Sequence, residues 1–546
     1  MDVASGELPV SAAAWRRIAL AIARVVVPVT VVGGVGLWFE WGRFRMTTPS
    51  IIDEWFGVTY SGPALHALLQ GNYFSSGLDF GGRYRPAYTA IWNYIQWHVS
   101  TGPSLMASAA AWGVVRIALF VVAVWILTVW LLRRDWRSAP LTLWLAPLAV
   151  ALTPGIADDL ARYGPGDPMM VSGLVVGLAL IGKGVRRLVL GENDLRGRTV
   201  AFAGIGLGYL VYLLGVYSKE ASFCLLVFAP FFLKWLAPSI RRHLPSSRVA
   251  RVLSVTLVVM LLAPLVHMAI RLALALLAGE RPYPAPDYSL GRKLFAAVLS
   301  PLIGHPGALQ TWLWFGAVPV AIAVAVETAR RRDRDAWLLI GVLTTGFLMS
   351  SVALGRGEIG SWYYIPWIVA VAAVAFQALA RTNIGIQLGV AVLIVLMAVS
   401  GTRTALAKWS QAERSGSTAV SISKGLLSAG CPVYLANFDI EQRVAIPLLF
   451  PYSEGKPAHN CARQSPQAYA LSWRNAALPV RFAAGCPTTW RKLAIDQEIA
   501  TYRCEAFHLT SIPDQNAASG NPLVKVVRLR SSRQIPSPRQ LFQSAS

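Results

Sequence analysis

The chain has 546 residues, 55% of them hydrophobic and only 14% charged, yet its formal net charge is +23. Apolar runs close to twenty residues recur along it, the length that carries a helix across a bilayer core. That composition excludes a soluble globular enzyme. It points to a polytopic membrane protein whose backbone is satisfied inside helices.

Hydropathy predicts about eleven spans, in chain order Ile18–Phe39, Leu105–Leu132, Ala139–Ala157, Met170–Gly182, Val200–Val216, Ala221–Leu236, Val252–Leu277, Leu309–Ala329, Ala336–Leu354, Trp362–Ala380 and Ile384–Val399. The fourth is short and extends at most to Val185. The first follows a long polar leader with no clean small-residue cleavage site, which argues against a cleaved signal peptide. Arginines cluster before the first span (Arg16, Arg17) and after the second, fourth, sixth, eighth and tenth, for example Arg133, Arg186, Arg241, Arg330 and Arg381. Every one of these loops falls on one side, which the positive-inside rule makes cytoplasmic. Most of the net charge is therefore a topological signal, and no nucleic-acid partner is expected. The expected location is a bacterial inner membrane, with the N-terminus cytoplasmic and the tail outside.

The first outer loop runs from residue 40 to 104. Ile51-Ile52-Asp53-Glu54-Trp55 opens it, and Gly82-Arg83-Tyr84-Arg85-Pro86 follows about thirty residues on. Pro63 to Gln70 reads as a short helix stopped by Gly71, and Pro86 to Val99 as a second with interfacial aromatics. Carboxylates in a partly desolvated position acquire raised pKa values and serve as general bases, although Asp53 and Glu54 also suit a merely solvated interface. Arg83 and Arg85 run against the positive-inside bias. Guanidinium groups bind phosphate through paired hydrogen bonds, and lipid headgroups or Asp79 are the competing partners.

A second outer loop, Asp158 to Pro168, places Asp158, Asp159, Arg162 and Asp167 close together between glycines. Its carboxylates suit sugar hydroxyls or a divalent cation, or simply a polar connection. At the junction of the fifth and sixth spans, Ser218 is positioned to cap the next helix. Lys219 and Glu220 stand beside that helix's positive end, and Lys219 also has the reach to snorkel to headgroups. A third outer loop spans 279–308. Arg356, Glu358 and Trp362-Tyr363-Tyr364-Ile365-Pro366 mark a later outer helix start, where an aromatic belt is the ordinary reading. His267 and Arg271, four apart in the seventh span, share one helix face.

From Gly401 the transmembrane pattern stops. Strand-like runs at Cys431–Phe438 and Leu523–Leu529 and a helical run near Thr489–Tyr502 suggest a small α+β domain. Cys431, Cys461, Cys486 and Cys504 all lie there, which fits up to two disulfides in an oxidising compartment, with three pairings open. Buried free thiols are the competing state. No CxxC or His-rich spacing indicates a zinc site. The domains expected are thus 1–400, a transmembrane domain, and 401–546, an extracytoplasmic one.

Taken together, these outer-face signals resemble the GT-C superfamily of polytopic glycosyltransferases. The acidic pair after the first span resembles the catalytic motif of protein O-mannosyltransferases. Arg85-Pro86, Ser218-Lys219-Glu220 and the run Trp362 to Pro366 are similar to elements of the tetratricopeptide-containing O-mannosyltransferases and their bacterial relatives. The tail departs from both. The resemblance implies a polyprenyl-phosphate sugar donor, an acceptor hydroxyl at the outer face and an inverting displacement, consistent with the lack of a Rossmann glycine motif. Asp53 would be the base, with Glu54, Asp158, Asp159, Glu220 and Tyr363 orienting substrate. Arg83, Arg85, Arg162, Lys219 and Arg356 would hold the donor phosphate. No cofactor is required, and a divalent cation is compatible. A transporter or flippase would put charge midway through several spans of two matching halves. Only Arg24, Arg116, His267 and Arg271 are so placed, without symmetry. The sequence is also compatible with a ligase or polymerase of lipid-linked glycans, and with a non-catalytic envelope scaffold.

Overall fold

A computed structural model of the chain describes residues 12–46, 52–71, 83–131, 139–162, 166–190, 195–231, 248–277, 308–331, 335–351 and 364–403, together with 79–80, short pieces within 406–420 and five strands of the tail. Side chains of some of these, Asp53 and Arg83 among them, lie outside the described set.

Each of the eleven apolar runs coincides with helix. In order these are α1 (Ala12–Glu40), α4 (Leu105–Leu131), the bent pair α5 (Leu145–Ala151) and α6 (Pro154–Ala161), α7 (Asp167–Leu190), α8 (Leu195–Val216), α9 (Glu220–Phe231), α10 (Arg248–Leu277), α11 (Ala308–Arg330), α12 (Asp335–Ser351), α13 (Ile365–Leu379) and α14 (Ile384–Met397). Among the described residues six helices are long and apolar enough to cross a membrane, seven if the bent pair forms one span. The chain is thus an all-helical polytopic membrane protein followed by a mixed-sheet tail.

Several boundaries differ from the sequence expectation. The helix around Pro63 begins earlier, as α2 (Ile52–Leu69), with Pro63 inside it. Its stop is as expected: Gly71 takes φ 73°, a left-handed conformation that only glycine adopts cheaply. The stretch after Pro86 opens with a π-helical turn over Ala87–Trp92 and continues as α3 (Asn93–His98). The fourth span is longer at both ends. Asp158 and Asp159 lie within α6, which starts with Pro154 in its first turn, and Asp167 and Pro168 open α7. The loop expected over Asp158 to Pro168 thus has helix at both of its ends.

Contacts divide the chain into two compact units. One comprises Met1–Trp41, Ser61–Ile95 and Trp112–Leu406; the other comprises Gly42–Tyr60, Gln96–Ala111 and Ala407–Ser546.

In the first unit, glycines let backbones meet where side chains would not fit. A Cβ at Gly173 would overlap the backbone of Gly215, and one at Gly177 would fall 2.6 Å from the Tyr212 amide nitrogen and 2.8 Å from the Gly208 carbonyl oxygen. The α7–α8 seam is thus backbone against backbone, the small-residue packing favoured between helices in lipid. Tyr212 is buried at that seam, and its hydroxyl donates to Leu261 O of α10 at 2.7 Å. Gly177→Leu is expected to destabilise the domain by at least about 1–3 kcal/mol through overpacking. Thermal unfolding in detergent, compared with Gly182→Leu, where a Cβ meets nothing within 4 Å, reads this directly. Equal midpoints would show that the seam relaxes freely. At the end of α1, the buried Glu40 carboxylate lies over Gly113 of α4, in the space a Cβ there would take.

In the second unit, Gly57 of α2 makes room for the buried Trp97 indole. Ser108 gathers the turn before α4, accepting from Thr101 N at 2.8 Å and donating to Val99 O at 3.0 Å. The tail forms a five-stranded sheet from β3 (Val433–Leu435), β4 (Ala468–Trp473), β5 (Arg491–Leu493), β6 (Phe507–Thr510) and β7 (Val524–Ser531), ordered β5-β3-β4-β7-β6. The β3–β4 pair is parallel and the others antiparallel. The strand runs around Val433 and Val524 match expectation. Within the helical run expected near Thr489–Tyr502, Arg491–Leu493 is instead an edge strand paired with β3, and the rest lies outside the described residues. Cys431, Cys461, Cys486 and Cys504 lie outside the described residues. Cys224, in a span, is buried.

Candidate functional site

The first unit carries an ionic centre where the end of α6, the start of α7 and the end of α8 meet. It is built from the way α8 ends. Ser218 was expected to cap the following helix. Instead its hydroxyl turns back and donates to Leu214 O at 2.6 Å, while the Ser222 hydroxyl donates to Val216 O at 2.8 Å. The backbone opens to an extended conformation at Lys219, φ −155° and ψ 135°, before α9 starts. Gly166 is needed opposite, since a Cβ there would overlap the Ser218 carbonyl.

This geometry sends the Lys219 side chain inward. Lys219 is 2% exposed, and its Nζ donates to Asp167 Oδ2 at 2.6 Å. Arg85 follows a two-stranded ribbon of β1 (Asp79–Phe80) and β2 (Arg83–Tyr84). The Ala87 amide donates to Tyr217 O at 3.1 Å, which holds that ribbon to the end of α8. Arg85 then grips Glu220 with both faces of its fork, Nε to Oε2 at 2.7 Å and Nη2 to Oε1 at 2.9 Å. Such paired charge-assisted bonds are the strong kind.

Asp159 completes the centre. It is fully buried, and neither carboxylate oxygen accepts a hydrogen bond among the described residues. The charges acting on it are Asp167, Lys219, Arg116 and Arg162. Arg116, buried in α4, sends Nη2 to Leu160 O at 2.7 Å and Arg162 O at 2.8 Å, so a cation closes the carbonyl end of α6. Burying this many charges in so apolar a chain is costly unless they are paired or used.

An aromatic cluster adjoins through Tyr84. Its ring meets His267 edge-on at 5.9 Å and Tyr217 at 6.4 Å, and the Arg271 guanidinium stands 4.6 Å from its centroid. The Tyr217 hydroxyl bonds His267 Nδ1 at 3.0 Å, and burial pushes the Tyr217 phenol up to about 12, so it stays neutral. His267 and Arg271 do share one face of α10, and Tyr84 is what that face touches.

Of the residues singled out in the sequence, Arg85, Asp159, Lys219 and Glu220 come together here, and the fields of Arg162 and Asp167 reach the same carboxylate. Asp158 lies half-buried on α6. Asp53 and Glu54 belong to the second unit. Asp53 stands in the first turn of α2, its side chain outside the described set. Glu54 is fully buried beside Arg43, 3.5 Å from its Nε, and Arg43 Nη2 also reaches Glu413. Arg83 lies in β2 with its side chain outside the described set. Arg356, Glu358 and Tyr363 are outside the described residues. Sequence reasoning passed over Arg43, Glu40 and Glu413, and noted Arg116 only as a charge within a span.

Fold and ionic centre define a polytopic membrane protein that keeps a buried, charged site at one end of its helices. No family model and no curated protein matches the chain. It is similar to the Archaeoglobus fulgidus oligosaccharyltransferase in its apo form, with TM-score 0.39 and 15% identity over 72% of this chain and 56% of that one. It is likewise similar to AglB of the same organism in complex with an inhibitory peptide and a dolichol-phosphate, with TM-score 0.39 and 16% identity over 72% and 56%. It is also similar to apo ArnT from Cupriavidus metallidurans, with TM-score 0.45 and 12% identity over 84% and 94%. The chain spans little more than half the length of the archaeal proteins. Likenesses at this level assign no residue a role.

Proposed function

We propose that the chain is a membrane glycosyltransferase that moves a sugar from a polyprenyl-phosphate donor to an acceptor hydroxyl at the outer face of a bacterial inner membrane. The observation that carries this reading is a pair of buried ion pairs at consecutive residues, Lys219 with Asp167 beside Asp159 and Glu220 with Arg85. A phosphate competes for both cations, and the displaced carboxylates are then free to accept from sugar hydroxyls. Arg271 supplies a further guanidinium on the adjoining aromatic cluster.

The chemistry is one displacement. The acceptor oxygen attacks the anomeric carbon, its proton passes to a carboxylate base, and the bond to the phosphate oxygen breaks with its electron pair. Asp53 is the base we propose. The leaving group is already a stable anion, so preorganised cations rather than a general acid lower the barrier.

Purified protein offered a panel of radiolabelled polyprenyl-phosphate sugars with membrane extract as acceptor tests the reading. Label should move from at least one donor, and no transfer from any would refute it. Arg85→Lys keeps the charge but loses the fork. It should weaken apparent donor affinity by about 1.5–3 kcal/mol, roughly ten- to a hundredfold. Unchanged donor dependence would reassign Arg85 to holding Glu220 alone.

A further inference from the structure

The second unit contains a buried arrangement that the transfer chemistry does not use. Arg43 lies in a short 3₁₀ turn, Arg43–Arg45, between α1 and α2, and is only 2% exposed. Its guanidinium meets two carboxylates. Glu54, 0% exposed, is in the opening turn of α2, with its Oε1 3.5 Å from Arg43 Nε. Glu413, 3% exposed, comes from the chain beyond the last span and takes the bond from Arg43 Nη2. One residue before Arg43, Gly42 lies against Ser410. A Cβ built at Gly42 would be 3.2 Å from Ser410 Oγ and 3.9 Å from Ser410 Cβ. Ser410 and Glu413 thus both lie against the turn that leads into α2.

A guanidinium has five donors in a rigid fork, so it bridges two carboxylates where a lysine ammonium serves as a single point charge. Without Arg43, two buried carboxylates would face each other, an arrangement the fold cannot hold. The start of α2 is therefore fixed from outside the helix, by a partner far along the chain. Asp53 precedes Glu54 by one residue and shares its helical turn.

We propose that Arg43, braced between Glu54 and Glu413, is a positioning residue for the transfer reaction, and that the segment following the last span thereby sets the place of Asp53. This rests on the reading of Asp53 as the base. It assigns the tail a task in the reaction cycle: displacing residues 410–413 releases the first turn of α2.

The test uses the full-length protein and a cysteine pair, Gly42→Cys with Ser410→Cys, whose Cβ separation suits a disulfide. The cross-link should form on mild oxidation, mapped by peptide mass spectrometry, and leave turnover at the parental level. Glu413→Gln, which keeps shape and loses charge, should lower kcat at least tenfold with donor KM within twofold. Arg43→Lys should do the same. Closing the 42–410 disulfide in the Glu413→Gln background should restore kcat, and reduction should abolish the rescue. An independent readout needs no turnover: the rate at which a thiol reagent labels Asp53→Cys should rise at least fivefold when Glu413→Gln is added. Failure of the cross-link to form, parental kcat in Glu413→Gln, cross-linking without rescue, or unchanged labelling would each overturn the proposal. If the parent protein transfers no sugar, the glycosyltransferase reading fails by itself, and labelling together with cross-linking still decides whether the brace places Asp53.

Discussion

Asp53→Asn is expected to slow the transfer step by about 10²–10⁴-fold while leaving folding and donor binding largely intact. The substitution keeps the shape of the side chain and removes its capacity to take a proton. Asp53 occupies the first turn of α2. Its neighbour Glu54 is engaged differently, being fully buried beside Arg43. Glu54→Gln should therefore show its loss chiefly in thermal stability, with a smaller loss in rate. Single-turnover transfer from preloaded donor, beside unfolding midpoints of both variants, separates the two roles. Parental turnover in Asp53→Asn with a dead Glu54→Gln would move the base by one residue. Parental turnover in both would send the search to Asp158 and Asp159.

Lys219→Met should be the most damaging change in the ionic centre. Lys219 donates to Asp167 at 2.6 Å within the protein, and its field is among those acting on Asp159. Removing one partner of a buried pair costs about 3–5 kcal/mol, because the remaining charge stays buried. Lower yield and a lower unfolding midpoint are expected. Adding Asp167→Asn removes the orphaned charge and should recover most of the stability, since replacing both partners of such a pair is often nearly neutral. Donor use should stay impaired in the double variant. If the double variant transfers sugar like the parent, the pair only holds α7 to the end of α8, and the donor site loses one of its proposed cations.

Much of the helical framework was legible because a run near twenty apolar residues has one solution in lipid. The polar ends were harder. Asp158 and Asp159 look like loop residues, yet Pro154 opens a helix that carries them, and Asp167-Pro168 is an ordinary helix start read as the end of a loop. Lys219 and Glu220 were noticed for their position beside a helix, but the Ser218 side chain spends its hydroxyl on the turn behind it. The glycine seam was not anticipated, although Gly173 and Gly177 form a small-xxx-small pair in one span. Partnerships were not. Arg43 and Glu413 lie 370 residues apart, and no local spacing encodes their meeting. Arg116 shows as a charge in an apolar run, without any hint that it would close the end of α6.

The α7–α8 seam also has a mechanical meaning. Where backbone rests on backbone, no rotamer can adjust, so the two helices form a stiff strut. Asp167 at its start and Lys219 just past its end are mounted on that strut, so their side chains, not their backbones, answer to a guest. Arg85 and Glu220 are mounted otherwise, on a short ribbon and on the turn that opens α9. Any backbone accommodation within the ionic centre must come from that softer pair. The site thus has one fixed jaw and one that yields.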